Sequence, residues 1–255
     1  MPLELLTIPC LTDNYAYLIH DSASGQTGVV DVPEAGPVLA ALRARGWTLS
    51  DILITHHHSD HIAGVEALRA ATGAMVLGAA ADAHRLPPLD LALTEAGSFS
   101  IGPEFARIID VPGHTVGHIA FHFPESRIVF TGDSLMAGGC GRLLEGTAAQ
   151  MHASLQKLAV LPPDTLVCSG HEYTTLNLAF AATLEPANPA LIFRRAEVAS
   201  LRAKGQPTVP VRLETELATN PFLRAGIPAV KAAVGMESVD DQSVFAEIRA
   251  RKDRF

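Results

Sequence analysis

Four histidines and an aspartate crowd into one short stretch of the chain, Thr55-His-His-His-Ser-Asp-His61. Residues two apart in an extended segment point the same way, so His56 and His58 can share one ligand face. Asp60 and His61 come where the chain turns into a helix, and they can face a different point. Imidazole and carboxylate ligands together suit zinc, iron or manganese and exclude a site built only from thiolates. The stretch therefore predicts two adjacent sets of metal ligands.

Three more candidate ligands each follow a predicted strand and lie beside a glycine: His114 in Pro-Gly-His-Thr, Asp133 in Thr-Gly-Asp-Ser and His171 in Ser-Gly-His-Glu. Glycine lets backbone approach a crowded site closely. Ligands at the ends of separate strands are the expected arrangement of a site in an α/β protein. We interpret His57, which alternates away from its neighbours, as a packing or supporting residue, and His118 as a supporting residue.

The surrounding sequence predicts the elements that must hold these residues. Short apolar runs predict strands over 27–31, 51–55, 75–77, 105–111, 118–123, 127–131 and 165–168. Apolar spacing and terminal glycines predict helices over 37–45, 62–71, 148–160, 174–183, 188–203, 228–234 and 242–252. Strand signals nearly vanish after His171. The chain is therefore expected to be of mixed α/β class, with a soft boundary near Tyr173 and a helical C-terminal region.

Composition limits the classes of partner and the cellular location that we expect for the chain. The chain has 255 residues, 48% of them hydrophobic, and a net charge of −8, which disfavours nucleic acid and anionic membranes. No apolar run is long enough to span a bilayer. The three cysteines are too far apart for a disulfide framework, and the first residues lack a basic stretch and a long apolar run, which disfavours a secretory signal. We expect a cytoplasmic protein that acts as a monomer, without a nucleic-acid or membrane partner.

With these residues in view, the chain resembles the metallo-β-lactamase superfamily of binuclear hydrolases, and within it the glyoxalase II (hydroxyacylglutathione hydrolase) family. The superfamily order is His-x-His-x-Asp-His followed by a single His, a single Asp and a single His. Three segments narrow the resemblance to the family: Gly170-His-Glu-Tyr-Thr174, Asn220-Pro-Phe-Leu-Arg224 and the basic tail Arg249–Phe255. The resemblance implies an αββα sandwich as the catalytic domain over 1–172, followed by a helical substrate-binding domain over 173–255.

The resemblance also implies the metal ligands. One divalent metal would be held by His56, His58 and His114, and a second by Asp60, His61 and His171, with Asp133 bridging both. Asp133, Asp60 and His61 would also be the catalytic residues, because a hydroxide shared by the metals would attack the substrate. Zinc is the first expectation for the two ions per chain, with iron or manganese as alternatives.

The implied substrate is a glutathione thioester. The activity would be hydrolysis of S-D-lactoylglutathione to D-lactate and glutathione, the second step of methylglyoxal detoxification. Arg142, Tyr173, Arg249 and Lys252 would contact the glutathione moiety, although cations near a helix C-terminus are also common without a ligand. Leu144 departs from the family, since many members carry a second binding tyrosine there.

Two other activities stay open on the same fold. One is a mononuclear iron persulfide dioxygenase, which would use mainly His56, His58, His114 and Asp133. The complete second ligand set and the long helical tail argue against it. The other is a different thioesterase of the superfamily. A binding module without activity is disfavoured because such a module would be expected to have lost ligands, and all of them are present.

Overall fold

The computed structural model describes residues 2–255, which form two compact units. Unit 1 holds Met1–Asp110 and Gly117–Gly132, with Met1 outside the described residues, and unit 2 holds Val111–Val116 and Asp133–Phe255. Within the described residues, no helix is long and apolar enough to cross a membrane. Cys10, Cys140 and Cys168 are buried thiols rather than disulfides, in line with their wide separation in the sequence.

One sheet of unit 1 carries the histidine-rich loop. Its strands, in the order β1-β2-β3-β4-β5-β6, are β1 (Glu4–Cys10), β2 (Asn14–His20), β3 (Thr27–Val30), β4 (Asp51–Leu53), β5 (Met75–Ala79) and β6 (Leu91–Leu93). The first three are antiparallel, and β3 to β6 run parallel. Helices provide the crossovers that parallel neighbours require: α1 (Ala35–Arg45) before β4, and α2 (Ser59–Ile62) with α3 (Val65–Thr72) before β5.

A second set of strands in unit 1 is antiparallel. It comprises β7 (Ser98–Ile101), β8 (Glu104–Asp110), β9 (Ile119–Phe123) and β10 (Ile128–Gly132), paired in sequence order. Aromatic rings fill the space between it and the first sheet. Phe130 of β10 lies 5.5 Å from Tyr17 of β2 and 6.0 Å from Phe123, measured between ring centres. Phe121 is fully buried and meets Phe99 edge to face.

Unit 2 is mostly helical. Its helices are α4 (Ala148–Ala159), α5 (Thr174–Leu184), α6 (Pro189–Ala203), α7 (Leu213–Thr219), α8 (Pro228–Val234) and α9 (Asp241–Asp253). Its short strands form two antiparallel pairs: β11 (Leu135–Met136) with β12 (Gly139–Cys140), and β13 (Leu166–Ser169) with β14 (Val211–Arg212). A capping box between Thr147 and Gln150 begins α4. The rings of Phe180, Phe222 and Phe245 pack together in the core of the unit.

The predicted elements are mostly present, with informative exceptions. The predicted helix over 62–71 is wrong at its start, because the helical turn of α2 ends at Ile62 and α3 begins at Val65. Gly64 separates them: a Cβ there would lie 2.6 Å from the Ala35 nitrogen and 2.8 Å from Cγ1 of Val32. This close approach explains why residue 64 is a glycine. The break itself follows from hydrogen bonds with Val32, which donates its N–H to the His61 oxygen at 2.7 Å and accepts from the Gly64 nitrogen at 2.9 Å, because a continuous helix would need both groups. Further elements were not predicted: β1, β2, β6, β7 and the two-residue strands β11, β12 and β14, together with α7.

Candidate functional site

The histidine-rich loop gathers its donors within unit 1. Strand β4 leads into the loop, and α2 follows it with Asp60 and His61 in its single turn. Nε2 of His56 lies 3.1 Å from Nδ1 of His58. Nε2 of His61 lies 3.8 Å from Oδ2 of Asp60, and the rings of His56 and His61 are 4.2 Å apart. The four predicted ligands of this loop thus lie side by side.

Asp31, directly after β3, orients this group, although nothing in the sequence marked it as a site residue. Its Oδ2 lies 2.8 Å from Nδ1 of His61 and accepts the Thr55 hydroxyl at 2.8 Å. Because that hydroxyl donates to Asp31, it accepts from Nδ1 of His56 at 3.0 Å. Both imidazoles are then protonated at Nδ1 and carry the lone pair on Nε2, which is how a metal-binding histidine is usually prepared.

The backbone of Asp31 shows how demanding this position is. Its φ of +55° lies in the left-handed region, which aspartate tolerates better than most residues. The carboxylate is buried, and a ligand atom from each of Asp31, His56 and His61 lies within 4.8 Å of the others. The only sequence signal was a lone acid after an apolar strand, and that pattern is too common to single it out.

The two histidines interpreted as supporting residues make different contacts. Nδ1 of His57 lies 3.1 Å from Oδ2 of Asp82, a buried carboxylate in the single 3₁₀ turn after β5. The ring of His118 is buried and stacks on that of His56 at 4.6 Å. His57 therefore links the histidine-rich loop to Asp82, and His118 packs against the predicted ligand His56.

The predicted ligands of unit 2 converge on one carboxylate oxygen. Oδ2 of Asp133 lies 3.4 Å from Nε2 of His114 and 3.3 Å from Nε2 of His171, and all three residues are buried. Nδ1 of His114 lies 2.8 Å from the Arg142 carbonyl oxygen, so it donates its proton there. The neutral ring then points the lone pair of Nε2 at a carboxylate oxygen. Two such acceptors repel each other unless a cation lies with them, so the donor set fits a divalent metal.

Basic residues form a second cluster in unit 2. The ammonium of Lys252 lies 5.4 Å from the ring centre of Phe180 and 5.0 Å from that of Phe255. Burial, together with the positive charges of Arg249 and Arg142, lowers the pKa of Lys252 to about 8. Two predicted substrate-binding arginines are therefore close enough to Lys252 to disfavour its charged form, and an anion bound beside Lys252 would relieve that repulsion.

The remaining predicted substrate contacts differ in their exposure. Arg249 is 4% exposed, with Nη1 donating to the Cys140 carbonyl oxygen at 3.0 Å and Nη2 lying 2.7 Å from Asp253. The ring of Tyr173 is partly exposed and stacks on His171 at 4.7 Å. Leu144 is 60% exposed. Tyr173 thus lies beside a predicted metal ligand, Leu144 is exposed, and Arg249 already has partners within unit 2.

Comparison with known proteins covers the whole chain. A family model described as metallo-beta-lactamase superfamily matches residues 16–171, and one described as hydroxyacylglutathione hydrolase C-terminus matches residues 172–255. A curated protein of Cereibacter sphaeroides named hydroxyacylglutathione hydrolase is 67% identical over 255 residues, which is all of both chains.

Solved structures share the fold at lower identity. The BLEG-1 B3 metallo-beta-lactamase has a TM-score of 0.67 and 23% identity, covering 86% of this chain and 99% of its own. TTHA1623 in a di-iron-bound form has a TM-score of 0.56 and 30% identity, covering 66% of this chain and 91% of its own.

Proposed function

The chain belongs to the hydroxyacylglutathione hydrolase family of the metallo-β-lactamase superfamily, and on that basis we propose that it hydrolyses S-D-lactoylglutathione to D-lactate and glutathione. Membership confirms the predicted fold class, a metallo-β-lactamase-like α/β portion followed by a helical portion. It also confirms the predicted enzyme class, a thiolester hydrolase. One observation carries the proposal: the match to this relative, at 67% identity, spans the full length of both chains, so the matched region covers the segments that hold the ligand motifs and the basic tail.

The metal assignment is part of the same proposal. We propose that His56, His58 and His114 hold one divalent ion, that Asp60, His61 and His171 hold another, and that Asp133 bridges them. The donor set is imidazole and carboxylate throughout, which fits zinc first and iron or manganese next. Such ions, when bound, would supply Lewis acidity that lowers the pKa of water and stabilises negative charge on the thioester carbonyl oxygen.

The residues of the chain have separable tasks in this reaction. Asp31 keeps the protons of His56 and His61 on Nδ1, so that Nε2 is available to a metal. Arg142 and Lys252 supply positive charge for the glutathione carboxylates. The leaving thiol of glutathione has an ordinary pKa of about 8.5, so its thiolate departs with little help from an acid. This chemistry explains why no serine nucleophile is needed.

We also propose a domain organisation and a cellular setting for the protein. We propose that residues 1–172 form the catalytic domain and residues 173–255 the substrate-binding domain, with Tyr173, Arg249 and Lys252 contacting glutathione. We further propose that the protein works in the cytoplasm as a monomer, within methylglyoxal detoxification. The presence of Lys252 and Arg142 in one cationic cluster supports the substrate assignment.

A single purification tests the function. Metals per chain are measured first, and hydrolysis of S-D-lactoylglutathione is then compared with that of an acyl-coenzyme A thioester. We expect a clear preference for the glutathione thioester. A metal-loaded protein that hydrolyses neither, or prefers the coenzyme A ester, would overturn the substrate assignment. Oxygen uptake with glutathione persulfide would instead identify the persulfide dioxygenase, which the full-length relatives do not favour.

A further inference from the structure

The hairpin of β11 and β12, residues 135–140, is held by side chains more than by its own strands. Each strand has two residues, and the pairing consists of Leu135 with Cys140 and Met136 with Gly139. So short a hairpin has little stability by itself. Buried side chains form hydrogen bonds with the backbone of five consecutive hairpin residues. Asn220 donates to the carbonyl oxygens of Met136 and Gly139. Asn177 donates to the oxygen of Ala137, Arg249 donates to that of Cys140, and Glu216 accepts from the Gly138 nitrogen.

Asn220 and Glu216 make the central hydrogen bonds of this set. Nδ2 of Asn220 lies 3.1 Å from the oxygen of Met136, 2.9 Å from that of Gly139 and 2.9 Å from Oε2 of Glu216. Oδ1 of Asn220 accepts from the Phe222 nitrogen at 3.0 Å, which fixes the amide so that its NH₂ group faces the hairpin.

Glu216 lies in a buried position, where a charged carboxylate costs free energy. It is 1% exposed, and burial raises its pKa to about 7, although it accepts from the Gly138 nitrogen at 2.7 Å. A position needed only for packing would be satisfied at lower cost by an apolar side chain. The acid is therefore best explained by the backbone group it binds.

The hairpin begins and ends beside proposed metal and substrate residues. Asp133 precedes β11 by two residues, and Gly141 closes the hairpin by donating its N–H to the Ser134 oxygen at 3.1 Å. A Cβ at Gly141 would overlap the carbonyl oxygen of Asp133. Arg142 follows at once, and its carbonyl oxygen orients His114. One short segment thus sets the position of a carboxylate and the orientation of an imidazole.

We propose that Asn220 and Glu216 are positioning residues, which fix Asp133 and His114 by holding the hairpin backbone. The inference rests on the proposed function, since it assigns these two ligands to the metal centre. It also gives the Asn-Pro-Phe-Leu-Arg segment a task, because Asn220 binds the hairpin while Phe222 lies under the guanidinium of Arg249, 5.1 Å from ring centre to Cζ.

Four variants of the full-length protein separate positioning from simple stability. Asn220→Asp keeps the shape but turns an oxygen toward the two carbonyl oxygens. Glu216→Ala removes the acceptor, whereas Glu216→Gln keeps an oxygen for the Gly138 nitrogen. Arg224→Met is the matched control, since it breaks the two-bond ion pair with Glu185 in the same segment and does not touch the hairpin.

The readouts are zinc affinity of the apoprotein against a chromophoric chelator, kcat and KM, and the thermal midpoint. We expect Asn220→Asp and Glu216→Ala to lose about 10- to 100-fold in zinc affinity, the usual cost of removing a supporting residue, and to lose kcat. Glu216→Gln should stay near wild type. Arg224→Met should lower the thermal midpoint but keep wild-type zinc affinity.

Wild-type zinc affinity and kcat in Asn220→Asp, with only a lowered thermal midpoint, would overturn the proposal. If that variant does not fold, the Glu216 pair decides: equal zinc affinity for Glu216→Ala and Glu216→Gln would also overturn it. Failure of the proposed function would give a different result, because the wild-type protein would then bind zinc without hydrolysing the glutathione thioester. Comparing the zinc affinities of the variants would still test the positioning role.

Discussion

Lys252 sets a pH limit on the proposed binding of glutathione. Its pKa lies at about 8 because its ammonium group is partly buried and faces the positive charges of Arg249 and Arg142, with Asp253 opposing the shift. Only the charged form attracts a carboxylate. The cation is therefore present below pH 8 and is lost as the pH rises through that value, well before an ordinary lysine would lose it.

The expected size of the effect follows from that pKa. With a pKa of about 8, roughly nine-tenths of Lys252 is charged at pH 7 and roughly one-tenth at pH 9. If the charged form alone binds substrate, the apparent affinity falls in proportion to its fraction. We therefore expect KM for S-D-lactoylglutathione to rise about 10-fold between these pH values.

Lys252→Arg is the matched control, because arginine stays charged over the whole range. Steady-state kinetics of both proteins are measured from pH 7 to 9, with spontaneous thioester hydrolysis subtracted. Titration of the substrate's own amino group affects both proteins equally, so the informative quantity is the ratio of their KM values. A ratio that stays constant across this range would refute the assignment of Lys252 as a carboxylate-binding cation with a lowered pKa.

Three further substitutions test other parts of the structure. Asp133→Ala is expected to lose bound metal and nearly all activity, which metal analysis of the purified protein would check; unchanged turnover would contradict its bridging role. In Asp31→Asn only one side-chain oxygen remains to accept hydrogen bonds from the hydroxyl and N–H of Thr55 and from Nδ1 of His61, which use both oxygens of the aspartate. We therefore expect metal affinity to fall about 10- to 100-fold. Wild-type affinity in a chelator competition would contradict this role of Asp31. Phe121→Ala empties a fully buried site and should cost about 3–5 kcal/mol of unfolding free energy in urea, and a loss below about 1 kcal/mol would be inconsistent with the aromatic core.

The sequence predicted the site best where the interacting residues are neighbours along the chain. His56 and His58 lie together because two-residue alternation is a property of any extended chain, and a turn of helix does begin at Ser59. Asp31 could not be recognised in the same way, because its partners Thr55 and His61 lie 24 and 30 residues further along the chain. A side chain that acts through distant residues leaves no periodic signal.

Tertiary packing accounts for the other differences. The break before α3 depends on hydrogen bonds that His61 and Gly64 make with the distant Val32, which no propensity encodes. Arg249 was predicted to contact glutathione on the basis of the resemblance, and nothing in the sequence showed that its guanidinium would be buried against Cys140 and Phe222. The sequence showed Asn220 as part of a family segment, but its task is visible only with the hairpin in place.

The burial of the three cysteines has a consequence for an enzyme whose proposed product is a thiol. Thiol–disulfide exchange requires a thiolate. Burial raises the pKa of Cys10 and of Cys140 to about 11 and that of Cys168 well above its usual value. At neutral pH only about one molecule in 10⁴ would carry a thiolate at Cys10. Almost no protein thiolate is then available to attack glutathione disulfide, so oxidation of the glutathione pool would not trap the enzyme as a mixed disulfide with its own product.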